Sequence, residues 1–260
     1  MRHVAILAAS GRELAPARAA LGGIERRRRG YEVGRMGDVE VHLIKTGMGP
    51  AAAAAAAHAI LSEVALDAVV STGYAGGLGL AGIGDVIVGT DVRDWTREQP
   101  QPVLRADPAL LAIARAAAGE AKLAWSEGPV ATVSRVLCRA AEKKALAQAS
   151  GAIAVDMESA AIALAAASRN VPFVLVRAVS DRVDEDLPLD FNLWLTPGGR
   201  VRALVRLAQH PSGLRALFRM KRQVEQGAKN LASFFQAWWH VLGREHTSVR
   251  APVPAAMGAR

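Results

Sequence analysis

Cysteine occurs once in the 260 residues, at Cys138. No disulfide can close within the chain and no metal site can be built on thiolates, which fits a reducing cytosol. The six histidines show no ligand spacing; His42, His58 and His210 lie far apart, and no metal is read from them. No apolar stretch approaches the roughly 20 residues of a spanning helix. The run Val4 to Ala9 is also too short for a secretory core, and charge follows it rather than a small-residue cleavage site. Aromatics make up 5% of the chain and are sparse in its basic runs, which with the absence of a recognised motif argues against a nucleic-acid-binding protein.

What is present is ordinary in bulk. Half of the chain is hydrophobic (51%) and 22% is charged, as in soluble globular proteins. The length suits one domain with a full core. The net charge of +8 is the abnormal number. It gathers in Arg26-Arg27-Arg28-Arg29 and between 200 and 229, with six arginines from 200 to 222. Such a surface attracts nucleic acid, anionic membrane or acidic ligands alike.

Val- and Ile-rich runs predict strands at 3–9, 39–45, 67–72, 84–90, 129–134, 152–155 and 172–179. Alanine-rich stretches predict helices at 50–64, 107–119, 139–150 and 157–169. This alternation indicates an α/β domain, a mixed, mainly parallel central sheet flanked by helices. From about 193 the texture changes to basic amphipathic helices, broken at Pro211-Ser212-Gly213. In the last of them Val224, Leu231, Phe234, Phe235, Trp238 and Leu242 recur near helical spacing. The expected division is a catalytic domain over 1–245, including a helical insertion at 193–220, and a frayed tail over 246–260.

Three glycine-rich segments stand at strand ends: Gly47-Met48-Gly49-Pro50, Gly73-Tyr74-Ala75-Gly76-Gly77 and Gly82-Ile83-Gly84-Asp85. Ligands bind at the carboxyl ends of strands in such sheets, and glycine lets backbone approach them. Singly, each is as well read as a tight turn. Two acidic segments follow. Asp156-Met157-Glu158-Ser159 joins a strand to a helix, and Ser180-Asp181 ends the most apolar strand. Either acid taken alone reads as a cap or a turn residue.

Together, in order, these pieces resemble the nucleoside phosphorylase and nucleosidase superfamily, especially its methylthioadenosine/adenosylhomocysteine nucleosidase branch. The resemblance runs from about 3 to 192. It rests on the first strand followed by Glu13, Thr46-Gly47-Met48-Gly49, Ser71 through Leu78, Gly84-Asp85, Asp156 through Ala161, and Val171-Pro172-Phe173 through Ser180-Asp181. It implies an enzyme that cleaves the purine N-ribosidic bond without a cofactor. Asp181 is then the acid that protonates N7, oriented by Ser180, and held partly desolvated so that it can give up a proton at neutral pH. Glu158 takes hydrogen bonds from the ribose hydroxyls and stabilises an oxocarbenium-like sugar. Met157 packs on the sugar, and Thr46, Gly47, Gly76 and Arg177 fall at substrate-binding positions. Glu13 matches the glutamate that activates water. Ser10-Gly11-Arg12 before it is also compatible with a phosphate loop, so phosphate as co-substrate stays open. The base-stacking aromatic of many relatives is replaced by Arg135-Val136-Leu137-Cys138. Aspartate at 181 favours a 6-amino purine such as adenine.

Within the superfamily the chain also resembles the branch called hopanoid-associated phosphorylase, through Ser180-Asp181-Arg182 and the long basic C-terminal part. That implies a lipid-linked substrate, adenosylhopane, with Leu214, Leu217 and Phe218 as lipid contacts at the inner membrane surface. The rival for the 193–220 helices is a subunit contact or core cover. Rival functions are a soluble methylthioadenosine/adenosylhomocysteine nucleosidase, a phosphate-dependent phosphorylase and a protein with a dead site. Relatives imply a homo-oligomer, and the expected location is cytoplasmic.

Overall fold

Uninterrupted Val, Ile and Leu set the sheet and alanine sets the helices of this protein, whose computed structural model describes residues 1–26, 30–97, 99, 101–192 and 211–249. In chain order the elements are β1 (His3–Ala8), α1 (Gly11–Ala19), β2 (Gly22–Arg26), β3 (Glu32–Met36), β4 (Val39–Lys45), α2 (Pro50–Glu63), β5 (Ala68–Gly77), β6 (Val86–Asp94), β7 (Leu104–Arg105), α3 (Pro108–Glu120), β8 (Trp125–Thr132), α4 (Ala140–Ser150), β9 (Ala154–Asp156), α5 (Ser159–Ala167), β10 (Phe173–Asp181) and α6 (Pro211–Val249).

The strands form one mixed sheet in the order β10-β6-β8-β9-β5-β1-β4-β3-β2, with β7 on β6. An additional parallel pairing of β5 with β10 closes β5, β10, β6, β8 and β9 into a ring. From β5 the strands β1, β4, β3 and β2 extend as a wing. Parallel pairing runs through β4–β1–β5–β10, and antiparallel hairpin pairing finishes the wing at β3 and β2. The sequence-predicted α/β fold is therefore present, with helices on both faces.

Alternation along the strands decides which helix covers which face. Val4 and Ile6 of β1, Val41 and Leu43 of β4, and Val174 and Val176 of β10 point to one side, where residues of α1, α3 and α6 bury them. Ala5, Leu7, Val69 and Leu175 point to the other, under α2 and α5. Every residue of β10 is buried, which matches its continuous apolar run.

Four local expectations are corrected. Ser10-Gly11-Arg12-Glu13 is not a loop but the start of α1, with Ser10 as N-cap. Gly73 to Gly77 is not a turn after a strand; β5 runs through it to Gly77, because backbone without side chains there lets β5, β9 and β10 lie close. α6 begins at Pro211, where proline suits a first turn, and the segment that Pro211-Ser212-Gly213 was expected to set apart from it lies outside the described residues. Residues 211–220 are thus continuous with the final helix, and that helix runs on to Val249, past the expected fray at 246. The rest of the expected insertion, 193–210, the arginines at 27–29, and 250–260 lie outside the described residues.

Candidate active site

A cavity of about 410 Å³ opens where β1, β5, β9 and β10 end. Its size falls in the range of small-molecule pockets, roughly 300–1,000 Å³. Glu13, Gly76, Met157, Glu158, Ser180 and Asp181 all line it, brought together from α1, β5, the β9–α5 junction and β10. A larger hollow, about 830 Å³, lies between the β3–β4 turn and the Trp239–Leu242 part of α6. Among the described residues Asp38 is the one acid in its lining, so no set of convergent carboxylates is described there.

Glu13 enters the cavity from the first turn of α1. Ser10 Oγ donates to Glu13 Oε2 at 2.7 Å, and the Tyr74 N–H donates to Glu13 Oε1 at 3.2 Å. The carboxylate is therefore fixed by a helix cap on one side and a strand backbone on the other. Tyr74 lies beside it, its phenol pushed up to about 12 by burial and by the charge of Glu13.

Glu158 stands at the N-cap position of α5 but makes no cap bond with its side chain. Asp156 takes the Ser159 N–H instead, at 3.3 Å. That frees Glu158 for the cavity, where its Oε1 accepts the Gly49 N–H from the start of α2 at 2.8 Å. Burial pushes the Glu158 carboxyl up to about 7, and the nearby charge of Asp156 adds to this. The Gly49 N–H and the Arg177 guanidinium oppose the rise.

Asp181, 5% exposed, ends β10. Ser180 Oγ donates to its Oδ1 at 2.7 Å. The sequence missed its other partner. Lys143, 1% exposed, donates from Nζ to Asp181 Oδ2, and also to the carbonyls of Arg182 and Glu185, at 2.8 Å each. The acid, expected as a partly desolvated carboxyl beside Ser180, is also half of a buried ion pair. One sequence signal points to Lys143. It shares a face of α4 with Leu146, Ala147 and Ser150 at helical spacing, and these pack inward.

Arg177, Thr46 and Gly47 are not among the lining residues. Arg177 is buried beneath the cavity floor, its Nη2 at 2.8 Å from Asp156 Oδ2 and at 2.7 Å from both Ser71 Oγ and Ser159 Oγ. It holds Asp156, which Thr132 Oγ1 also contacts at 2.7 Å. Thr46 turns its hydroxyl to the Gly47 carbonyl at 2.8 Å, and Met48, next in sequence, lines the cavity. Where a base-stacking aromatic was absent from 135–138, the walls carry Val136 and Leu137, with Phe191 and Tyr74 as the aromatic lining residues. Phe191 lay too far along the sequence to be picked out.

The fold also assembles a group that histidine spacing hid. His3, Glu40 and His42 meet at the amino ends of β1 and β4, with ligand atoms within 4.8 Å of one another. They lie at the opposite end of β1 from the cavity.

Residues 3–203 match the phosphorylase superfamily. The chain belongs to that superfamily. Its members include the 5′-methylthioadenosine/S-adenosylhomocysteine nucleosidase of Maridesulfovibrio salexigens, 33% identical over 171 residues, covering 60% of this chain and 74% of that protein. The enzyme of the same name from Shewanella sediminis is 29% identical over 209 residues, covering 74% and 88%. Among solved structures, the nucleosidase of that name from Neisseria meningitidis, in complex with methylthio-immucillin-A, superposes with a TM-score of 0.73 at 24% identity over 92% of this chain and 98% of that one. Futalosine hydrolase of Helicobacter pylori gives 0.71 at 18%, over 92% and 98%. These two likenesses concern the phosphorylase-superfamily fold, and the chain is an enzyme of that superfamily.

Proposed function

We propose that the protein hydrolyses the N-ribosidic bond of a 5′-substituted adenosine and releases adenine. The observation that carries this is the convergence of Glu13, Glu158 and Asp181 on one cavity from three separate elements. In this reading Asp181 meets N7 of the base, so that the leaving group departs neutral. Glu158 accepts the ribose hydroxyls and faces the positive charge that develops on the sugar. Glu13 takes the proton of the water that attacks C1′.

Water rather than phosphate is favoured by the state of the cations. Lys143 is engaged by Asp181, and Arg135 lies 2.6 Å from Glu142. Beneath the floor, Arg177 is engaged by Asp156. A phosphate dianion would have to displace these partners or rely on Arg12. Adenine release from 5′-methylthioadenosine, with and without phosphate, tests the reading. The expected result is unphosphorylated 5-methylthioribose at a phosphate-independent rate, lowered by roughly 100- to 10,000-fold but still measurable in Asp181→Asn and lost in Glu13→Gln. A sugar phosphate product, or no release in the wild type, overturns it.

A finer reading concerns the 5′ substituent. Leu187, Phe191 and Met220 give the cavity an apolar side toward the first turns of α6, and Leu217 stands one turn from Met220 on the same helix face. Phe218 is 65% exposed. The side chain of Leu214 lies outside the described residues. These features favour a greasy substituent, and adenosylhopane is the lipid-linked candidate, reached at a membrane surface. Among the described residues no helix is long and apolar enough to cross a membrane. Serine at Leu214, Leu217 and Phe218 is expected to slow turnover of vesicle-borne substrate and to spare methylthioadenosine. Equal rates on vesicles would remove the lipid reading and leave a small-molecule nucleosidase.

A further inference from the structure

We infer that Lys143 is the positioning residue of the site, and that Asp181 and Lys143 work as one proton-holding pair that supplies the departing base. This rests on the nucleosidase reading above and adds to it the origin of the proton.

Three observations lead here. Lysine is among the residues that are almost never fully buried unless paired, yet Lys143 is 1% exposed. All three of its ammonium donors are used, on Asp181 Oδ2 and on the Arg182 and Glu185 carbonyls. The remaining oxygen of Asp181 is met by Ser180, so the carboxylate is held from both sides. A lysine kept only to tether the 182–185 loop would need the two carbonyls and not the acid. A lysine kept only for packing would be replaced by leucine at no cost in desolvation.

The proton path balances. As the C1′–N9 bond breaks, its electron pair goes to the base and N7 takes a proton from Asp181. Lys143 gives a proton to Asp181 along their shared hydrogen bond and becomes a neutral amine. The attacking water loses its proton to Glu13. After the products leave, the proton on Glu13 exits and Lys143 is reprotonated from solvent, so the cycle consumes one water and no net proton. Among the described residues, Asp156, Glu158, Glu13, Arg12 and Arg135 share the cavity with the pair, while Asp186, engaged by Arg139, and Glu185, engaged by Arg219, lie on the loop beside it. Gln223 of α6 reaches the loop by donating to Glu185.

The test is a double-mutant cycle with 5′-methylthioadenosine. Lys143→Met keeps the length of the side chain and removes the charge. It is expected to lower kcat by about 100-fold or more, the scale of general acid catalysis, with a smaller change in KM. In an Asp181→Asn background the same substitution is expected to cost nothing further. The double variant carries neither buried charge, so a fold defect from an unpaired charge in either single variant does not hide the answer. An equal cost of Lys143→Met in both backgrounds, or a loss confined to KM, overturns the inference. Wild-type inactivity on the nucleoside would sink the hydrolase reading instead. Calorimetry of adenine binding then carries the same test without turnover. Lys143→Met should weaken adenine binding in the wild-type background and not in Asp181→Asn, and an equal effect in both counts against the pair.

Discussion

Gly73 leaves open the space that the Glu13 carboxylate fills. A Cβ at position 73 would stand 2.6 Å from Glu13 Oε1, and the residue has φ +144°. The next residue, Tyr74, donates its N–H to that same oxygen. Gly73→Ala is therefore expected to push Glu13 out of place and to strain the strand by about 1–3 kcal/mol. Glu13→Gln should abolish turnover as well, but with the melting temperature nearly unchanged. Thermal melts beside adenine release separate the two. Normal turnover by Gly73→Ala would show that the position of Glu13 is not critical.

Glu158 gives the activity a pH dependence with a defined sign. Its carboxyl is pushed up to about 7, and in the proposed reading the ribose hydroxyls donate to its ionised form. kcat/KM is expected to rise as pH is raised through about 7, tenfold per unit on the acid side. A profile flat from pH 5 to 8 would remove Glu158 from this role.

The same group costs stability. Below about 4.5 it is protonated in both the folded and unfolded chain and contributes no difference. Between about 4.5 and 7 the unfolded chain ionises first, so native stability falls as pH rises. Above 7 the loss reaches on the order of 3 kcal/mol, at 1.36 kcal/mol per pKa unit. Glu158→Gln should thus be inactive yet more stable than the wild type at pH 8, and equal to it near pH 4. Urea unfolding at the two pH values checks both statements.

Arg177 is expected to matter for folding more than for chemistry. Its removal leaves Asp156 charged, buried and short of a partner, a loss of about 3–5 kcal/mol for breaking such a pair. Arg177→Met should lower the urea midpoint strongly. Arg177→Met with Asp156→Asn should recover part of that loss. Full stability of the single variant would contradict the role given to the pair.

Much of this was legible because the relevant signals are local. The apolar runs at 39–45 and 172–179 became β4 and β10, and the alanine stretch at 50–64 became α2 within a residue. The β2–β3 hairpin was not read, since Gly22–Arg26 and Glu32–Met36 mix charge with glycine and carry little apolar alternation. α1 was hidden by Gly11 and Pro16, both poor helix signals, although Ser10 with Glu13 three residues on is a capping pattern. The acids of the site were readable in their motifs. Lys143 was not, because its pairing with Asp181 spans 38 residues and depends on α4 coming to lie against the loop after β10. The ring closure between β5 and β10 is likewise a matter of long-range pairing that no local pattern reports.

The placement of α6 has a consequence for biosynthesis. Phe234, Phe235 and Trp238 bury the same face of the sheet as Val4 and Ile6, which are made more than two hundred residues earlier. Ribosomes add roughly 5–20 residues per second. For roughly 3–11 seconds at that rate, a nascent chain that has already made its last strand, β10, carries that face without its final cover. The interval calls for chaperone shielding of the β1–β4 surface, and it makes the aromatic turns of α6 the step that commits the newborn enzyme to its native state.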